Sequence, residues 1–391
     1  MNGGRDIYLD YAAATPVDPL VAEAMRPYLD DCFYNPSAPY AHGRQARDAL
    51  EGARASLAHE IGAKPGCITL TAGATEACNL AFAATEGHVV SCAVEHESTL
   101  ECAKARGASI VGVDGRGIVD PAEVERAIRP DTELVSISLA NGEIGAVQPL
   151  RAIAKTVRRE RERRLEAGER RPIWLHTDAT QAAGAMAVNV ASLGADMMTL
   201  SAAKIYGPKQ VGLLWAADTV TLRPLVLGGG QEKGVRSGTE NVAGAVGFAK
   251  ALELACERRE EESARLARLR GSLESALLAA FPWAVVSGPR KSQQRLPGLL
   301  HISFPGLEAR RLVIGLDRRG VSVGTGSACA ASKMRVSHVL EAIGASPEVA
   351  EGSLRITLGR PTTDDDVERA AQAIVETVRG ECARLRIHGE G

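Results

Sequence analysis

From Ile68 to Ala216 the chain alternates short apolar runs with amphipathic stretches, and this rhythm constrains the fold more than any other feature. ITLT, HVVSCAV, SIVGVD, ELVSISLAN, WLHTDA, DMMTLSAAK and GLLWAA are the candidate strands. Between them lie stretches of helical spacing, among them Ser98–Arg106, Pro121–Ile128 and RAIAKTVRRERERRL. Parallel strands must be joined by crossovers, usually helices, so the alternation predicts an α/β fold with a mostly parallel sheet covered on both faces. Ahead of it, helices are expected from Pro19 to about Leu29 and along a second tract ending near Ile61.

After about Asn241 the texture changes. A helical tract from Val242 to Ala280 leads to the segment TGSACAAS, the late strand SLRITLG and the capped helix DDDVERAAQAIVETVRG. The expected organisation is a large domain over residues 16–250 and a smaller C-terminal α/β domain over 251–391, with residues 1–15 packing on the latter.

Composition narrows the function. Lys+Arg number 46 against 48 Asp+Glu, a net charge of -2, which excludes a strongly basic nucleic-acid-binding chain. No direct nucleic-acid contact is expected. The eight cysteines are dilute and form no C-x-x-C pair, so neither a disulfide framework nor a metal site is expected. No apolar stretch is long enough to span a membrane, and the N-terminus lacks a signal-peptide pattern. The expected location is a reducing cytoplasm. The charged run from Arg158 to Arg171 reads as a helix end followed by an exposed loop, with a docking surface as the alternative.

The chemistry gathers at predicted strand ends. Lys204 follows DMMTLSAA, and Asp178 ends WLHTD. On adjacent parallel strands both would face the crevice where open α/β sheets bind ligands. Gly73 separates a strand from a helix beginning near Ala74 and Thr75, a turn that presents free N–H groups to a phosphate. Lysine, strand-end carboxylate and phosphate turn together are what pyridoxal 5'-phosphate requires. The carboxylate keeps the pyridine nitrogen protonated. A surface lysine is the alternative for Lys204. His96 ends another predicted strand and reads either as a satisfied structural histidine or as a catalytic ring stacked on a cofactor and able to transfer a proton. Cys329 lies among small residues in GTGSACAAS and reads as a nucleophile, whereas the other seven cysteines read as small hydrophobes. Arg355 reads as a clamp for a substrate carboxylate or as an ion-pair residue.

Beyond these residues, YLDYAAATPVDP, NPSAPYAHG, TAGATEACNLA, EHES, EIGAVQ, HTDATQ, KIYGPK, GGGQEKGVRSGTEN, TGSACAAS, SHVLEAIG and SLRITLGR follow one another in order. In that series the chain resembles the cysteine desulfurases of the NifS/IscS type, in the class V branch of fold-type I pyridoxal phosphate enzymes. The resemblance implies a seven-stranded sheet in the large domain, a mobile loop carrying the catalytic cysteine, and a homodimer with shared active sites. It implies Lys204 as the Schiff-base lysine, Asp178 as partner of the pyridine nitrogen and Gln181 as ligand of the phenolic oxygen. Thr75 and Ser201 match phosphate ligands, and Thr239 matches one supplied by the partner subunit. Asn35 and Arg355 match the binders of the substrate carboxylate, and Cys329 matches the persulfide-forming nucleophile.

The implied reaction converts L-cysteine to L-alanine and passes sulfane sulfur to Cys329, then to an acceptor protein. Iron–sulfur cluster assembly, tRNA thiolation and DNA phosphorothioation all use such donors. The alternatives are a selenocysteine lyase, or another pyridoxal phosphate β-lyase, and a sulfur-transfer scaffold without cofactor. Two departures stand out. Ala203 replaces the family's histidine before the lysine, and Gly142 replaces the second asparagine of its Asn-Asn-Glu-Ile-Gly motif. Losing one charge-assisted contact costs about 1.5–3 kcal/mol. Weaker cofactor retention, or compensation by a neighbour, is the expected consequence.

Overall fold

The structure, a computed structural model, describes residues 6–325 and 337–387. Twelve strands are defined among them. They are β1 (Ile7–Leu9), β2 (Ile68–Thr71), β3 (His88–Cys92), β4 (Ser109–Val111), β5 (Thr132–Ser136) and β6 (Trp174–Asp178). Then come β7 (Met197–Ser201), β8 (Gly212–Ala216), β9 (Val285–Val286), β10 (Leu299–Ser303), β11 (Val321–Val323) and β12 (Ser353–Thr357). Seven build one sheet in the order β2-β8-β7-β6-β5-β3-β4. Pairing from β4 through β7 is parallel, while β8 runs antiparallel to both β7 and β2. The link from Ser201 to Gly212 carries only a short 3-10 turn, too little for a crossover, so β8 turns back beside β7. Every residue of β3, β7 and β8 is buried, as strands covered on both faces require.

The crossovers are α3 (Ala74–Ala83), α4 (Glu97–Ala105), α5 (Pro121–Ala127), α6 (Leu150–Glu166) and α7 (Val190–Leu193), preceded by α1 (Pro19–Met25) and α2 (Ala41–Ile61). The first ends earlier than its sequence suggests, because Pro27 has no N–H to continue it and Arg26–Tyr28 tighten into a 3-10 turn.

A 39-residue helix, α8 (Val242–Ala280), joins two cores. Its first part, including Phe248, Ala251 and Leu252, packs into the core around the seven-stranded sheet. Leu269, Leu273 and Leu277, one turn apart, enter a second core with Phe281, Phe304 and Ile356. Each such leucine contributes about 1.5–3 kcal/mol by leaving water. Ile7 and Leu9 belong to this second core, and β1 pairs in parallel with β11. A three-stranded antiparallel sheet, β12-β10-β9, completes the C-terminal part.

The run from Arg158 to Arg171 is a helix end, to Glu166, followed by a largely exposed loop, as expected, but two of its arginines also turn inward. Arg164 is only 1% exposed and donates to the carbonyls of Thr132 (2.8 Å), Arg129 (3.0 Å) and Pro172 (3.2 Å). Arg161 reaches Asp196 at 2.7 Å and lies over the Trp174 ring. These arginines saturate carbonyls at the entry to β5 and β6, an internal role that hides inside a charged run. Of the seven described cysteines, Cys32, Cys78, Cys92 and Cys382 are buried, while Cys67, Cys102 and Cys256 are half-buried.

Candidate active site

Parallel strands deliver their C-terminal ends to one side of a sheet. Here those ends, with the loops that follow them, surround a cavity of about 820 Å³. His96 follows β3, Asn141 and Gly142 follow β5, Asp178 ends β6, Ser201 ends β7, and Lys204 lies three residues on. Gly73, Ala74 and Thr75 enter from the start of α3; His338 and Arg355 close the cavity from the C-terminal part.

The α3 start is built around two glycines. Gly73 has φ +130°, a conformation that only glycine adopts readily, and a Cβ on Gly212 would stand 2.7 Å from the Gly73 backbone. The helix has no side-chain cap, so its first N–H groups are open to an anion. Glu76 accepts from Ala72 N–H at 2.7 Å and pairs with Arg236 at 2.8 Å, which fixes the turn from behind.

Asp178 is buried, and its Oδ1 accepts from Thr180 N–H at 2.9 Å. The Cys78 thiol stands 3.8 Å from Oδ2, and burial pushes that thiol well up, so it stays protonated beneath the carboxylate. Lys204 Nζ donates to Ala13 O at 2.6 Å. Burial first, then the charge of Arg355, lowers its pKa from the ordinary lysine value, toward the neutral amine that a nucleophile needs. His96 caps α4, its Nδ1 accepting from Ser98 N–H at 3.1 Å, which leaves the ring proton on Nε2.

Gln181 Nε2 donates to Ala12 O at 3.1 Å. Its amide also fills the space beside Gly142, where a Cβ would lie 2.8 Å from Gln181 Cδ. The missing asparagine side chain thus has a neighbour in its place. Arg355 Nη2 pairs with Asp10 at 2.8 Å, and Nη1 donates to Gly142 O at 3.3 Å. Its buried Nε has no partner.

Sequence reasoning passed over three residues here. Glu95 is 1% exposed, and accepts from Ser138 N–H at 2.8 Å, from Ser138 Oγ and from the Cys92 thiol at 3.2 Å. Burial pushes its carboxyl up to about 7, with the charge of Asp178 adding to the shift. His338 Nε2 donates to Glu95 O at 2.9 Å. Glu143 is buried, its Oε1 has no partner, and burial raises its pKa. Asn141 holds this loop: its Oδ1 accepts from Glu143 and Ile144 N–H, and its Nδ2 donates to Val94 O, all at 2.8 Å. EHES, EIGAVQ and SHVLEAIG contained these residues, and each short piece gave no reason to single out its glutamate or its second residue.

Two predicted residues do not meet the others. Asn35 is exposed, with Oδ1 accepting from Ser37 N–H at 2.8 Å in a local turn, away from the cavity lining. Thr239 is exposed and lines a neighbouring depression with Ala72 and Gln210. Cys329 lies outside the described residues. The chain leaves for its segment at Gly324, which exchanges backbone hydrogen bonds with Arg355 at 2.8 and 3.0 Å, and returns at Ser337 and His338.

The donor set fits a phosphorylated pyridine aldehyde. The open α3 N-terminus suits the phosphate, Asp178 the ring nitrogen and Lys204 the aldehyde; the Thr180 hydroxyl, buried without a partner, lines the same cavity.

Comparison with known proteins agrees. The family model for class V aminotransferases matches residues 7–370. Cysteine desulfurase IscS 1 of Archaeoglobus fulgidus is 41% identical over 391 residues, covering 97% of each chain. The solved structure of a NifS-like protein superposes with a TM-score of 0.87 at 32% identity, covering 96% of this chain and all of that one. SspA in complex with cysteine gives a TM-score of 0.74 at 32% identity, covering 90% of this chain and 98% of its own.

Proposed function

The chain belongs to the class V aminotransferase family, in its branch of NifS/IscS cysteine desulfurases, and from that premise we propose the roles of its residues. It is a pyridoxal 5'-phosphate enzyme that converts L-cysteine to L-alanine, the sulfur passing through a persulfide. One observation carries the assignment of roles. Lys204 and Asp178, from the ends of adjacent parallel strands, face a single cavity with an uncapped helix N-terminus on its rim.

Bound pyridoxal 5'-phosphate supplies an electron sink that acidifies the substrate Cα–H. The chain's residues do the rest. Ala74 and Thr75, at the α3 start, and Ser201 hold the phosphate. Asp178 would accept from a protonated ring nitrogen and stabilise its charge, His96 would cover the ring, and Gln181 would address the phenolic oxygen. Lys204 would be the attachment point for the aldehyde, and as a free amine it would carry the substrate Cα proton, an exchange its lowered pKa supports. Arg355 receives the substrate carboxylate, for which its unpartnered Nε is available. Cys329, as thiolate, attacks the substrate sulfur. A sulfur–sulfur bond forms, the Cβ–S bond breaks, and its electron pair goes to Cβ, which takes a proton and leaves as alanine.

We further infer a homodimer in which Thr239 of one copy completes the phosphate site of the other. Thr239 is exposed beside cavity residues Ala72 and Gln210, on a segment that also exposes Leu225, Val226 and Leu227. Asn35 belongs to the same class of expectation: in isolation its turn does not face its own cavity. The division into domains 16–250 and 251–391, a cytoplasmic location and an acceptor protein for the sulfur are parts of the same reading. No described helix is long and apolar enough to cross a membrane.

Cys329→Ala tests the reading. The purified variant should keep the visible absorbance of the bound cofactor and lose alanine and sulfide production from L-cysteine. Turnover at the wild-type rate would remove the persulfide step.

A further inference from the structure

Tyr206 stands two residues beyond Lys204 with φ +65°, a backbone conformation that is costly for a bulky L-residue. Every polar group it owns is engaged in holding it there. Its N–H donates to Thr15 Oγ1 at 2.9 Å, and its carbonyl accepts from Asp18 N–H at 2.9 Å. Its hydroxyl accepts from the backbone N–H of Arg360 at 2.6 Å, and the Arg360 guanidinium lies 4.3 Å from its ring centroid. Arg360 Nη1 then returns to Asp18 at 3.1 Å, with Arg258 on the same oxygen at 3.5 Å. Burial pushes the Tyr206 phenol up to about 12, so the ring stays neutral throughout the working range.

These contacts join three segments that are far apart in sequence. Residues 10–18 bind the lysine loop through Lys204 Nζ to Ala13 O at 2.6 Å and Thr15 Oγ1 to Ala203 O at 3.1 Å. The same residues bind the β12 end through Ala12 N–H to Thr357 Oγ1 at 3.0 Å and the Asp10–Arg355 pair at 2.8 Å. Arg265 donates to the carbonyls of Gly359, Arg360 and Thr362, which stiffens the chain just beyond Arg355.

We propose that Tyr206, Arg360 and Asp18 form a strap that sets the separation between Lys204 and Arg355, and so fixes how far from the amine the site holds the carboxylate of an α-amino acid. The three are positioning residues. The proposal rests on the reading that Lys204 and Arg355 address the amino and carboxylate ends of one substrate. A bond lost from the strap frees the β12 end against the lysine loop without touching cofactor or substrate.

The test uses the holoenzyme with Arg360→Gln and Tyr206→Phe, beside Arg355→Lys as control. Arg360→Gln removes the ring contact and the Asp18 pair but keeps the backbone N–H; Tyr206→Phe keeps the ring and removes the acceptor. Both should raise KM for L-cysteine, and the dissociation constant of L-alanine from spectral titration, by about five- to tenfold. The rise should come with kcat within about twofold, an unchanged cofactor spectrum, and a narrower preference for L-alanine over β-alanine, whose amine and carboxylate are one carbon further apart, in the spectral titration. A lowered melting temperature with unchanged KM in both variants would reduce the strap to a structural brace and overturn the proposal. If Arg355→Lys itself left KM unchanged, the reading of the site would fall and the proposal with it. If Arg355→Lys raises KM and neither strap variant does, the strap alone falls.

Discussion

Two walls face each other across the cavity, and they are held in different ways. The first carries Asp178 and Ser201 at the ends of buried parallel strands, where backbone ladders set their positions, with His96 and Lys204 in the short turns just beyond. The second brings Arg355 from a three-stranded antiparallel sheet and His338 from the five-residue helix 338–342. Arg355 stands within the β12–β10 ladder, but its guanidinium is placed by single contacts, to Asp10 and to the Gly142 carbonyl, and His338 by one to the Glu95 carbonyl. A sheet end is over-determined, so substitutions on the first wall should remove chemistry while leaving the scaffold intact. The second wall hangs on a few bonds, so substitutions there should change binding before rate.

The largest effects should come from the first wall. Lys204→Ala removes both attachment point and proton carrier, and kcat should fall by at least about a thousandfold with a changed cofactor spectrum. Asp178→Asn keeps the shape and removes the charge beneath the ring nitrogen; a loss of about a hundredfold in kcat is expected. Stopped-flow and steady-state alanine formation measure both. If Asp178→Asn raised KM and spared kcat, the separation of the two walls into chemistry and binding would not hold. On the second wall, Arg355→Lys gives up a planar fork for a point charge, and KM for L-cysteine should rise by about 10- to 100-fold with a smaller change in kcat.

The same contrast governs what could be read from residues alone. The alternation from Ile68 to Ala216 exposed the sheet, because each strand announces itself by a local apolar run, and Asp178 and Lys204 were placed by asking where those runs stop. The antiparallel β8 was not visible, since its apolar pattern matches that of a buried parallel strand and only the short link reveals its direction. Arg355 was identified as a candidate, but its pairing with Asp10, 345 positions away, has no local signature. Glu95 was overlooked for a similar reason: its carboxylate is held by Ser138, 43 positions away, just beyond the neighbouring strand β5. Arg164 shows the reverse error, where a charged run conceals one side chain turned inward.

Gly142 lies where the walls meet, since its carbonyl accepts from Arg355 and its bare Cα admits the Gln181 amide. Gly142→Asn should therefore displace Gln181 from Ala12 O and exchange one amide for another. The cofactor dissociation constant should change by no more than about threefold. Tightening by about tenfold or more, measured by fluorescence titration of the apoenzyme, would show that Gln181 does not stand in for the missing side chain. Repeating the substitution in Gln181→Ala sharpens the result, because there the asparagine has room and should strengthen binding.

The smallest effect concerns Glu95, whose side chain belongs to the first wall and whose carbonyl holds the second. Its carboxyl titrates at about 7 in the folded chain against an ordinary value of 4.5. Between those values the native state binds more protons than the unfolded state, so this group lowers stability as pH rises from about 4.5 to 7, and the full penalty persists above 7. Asp178 and the raised thiol of Cys92 face the same carboxyl, and neither offers it a positive charge. Glu95→Gln cannot ionise. The difference in melting temperature between variant and wild type should therefore move in favour of the variant as pH rises from 5 to 8, by a few degrees at most for a chain of this length. A difference that stays constant across that range would mean that Glu95 is already ionised at pH 5, with its charge held by Ser138 and the Cys92 thiol.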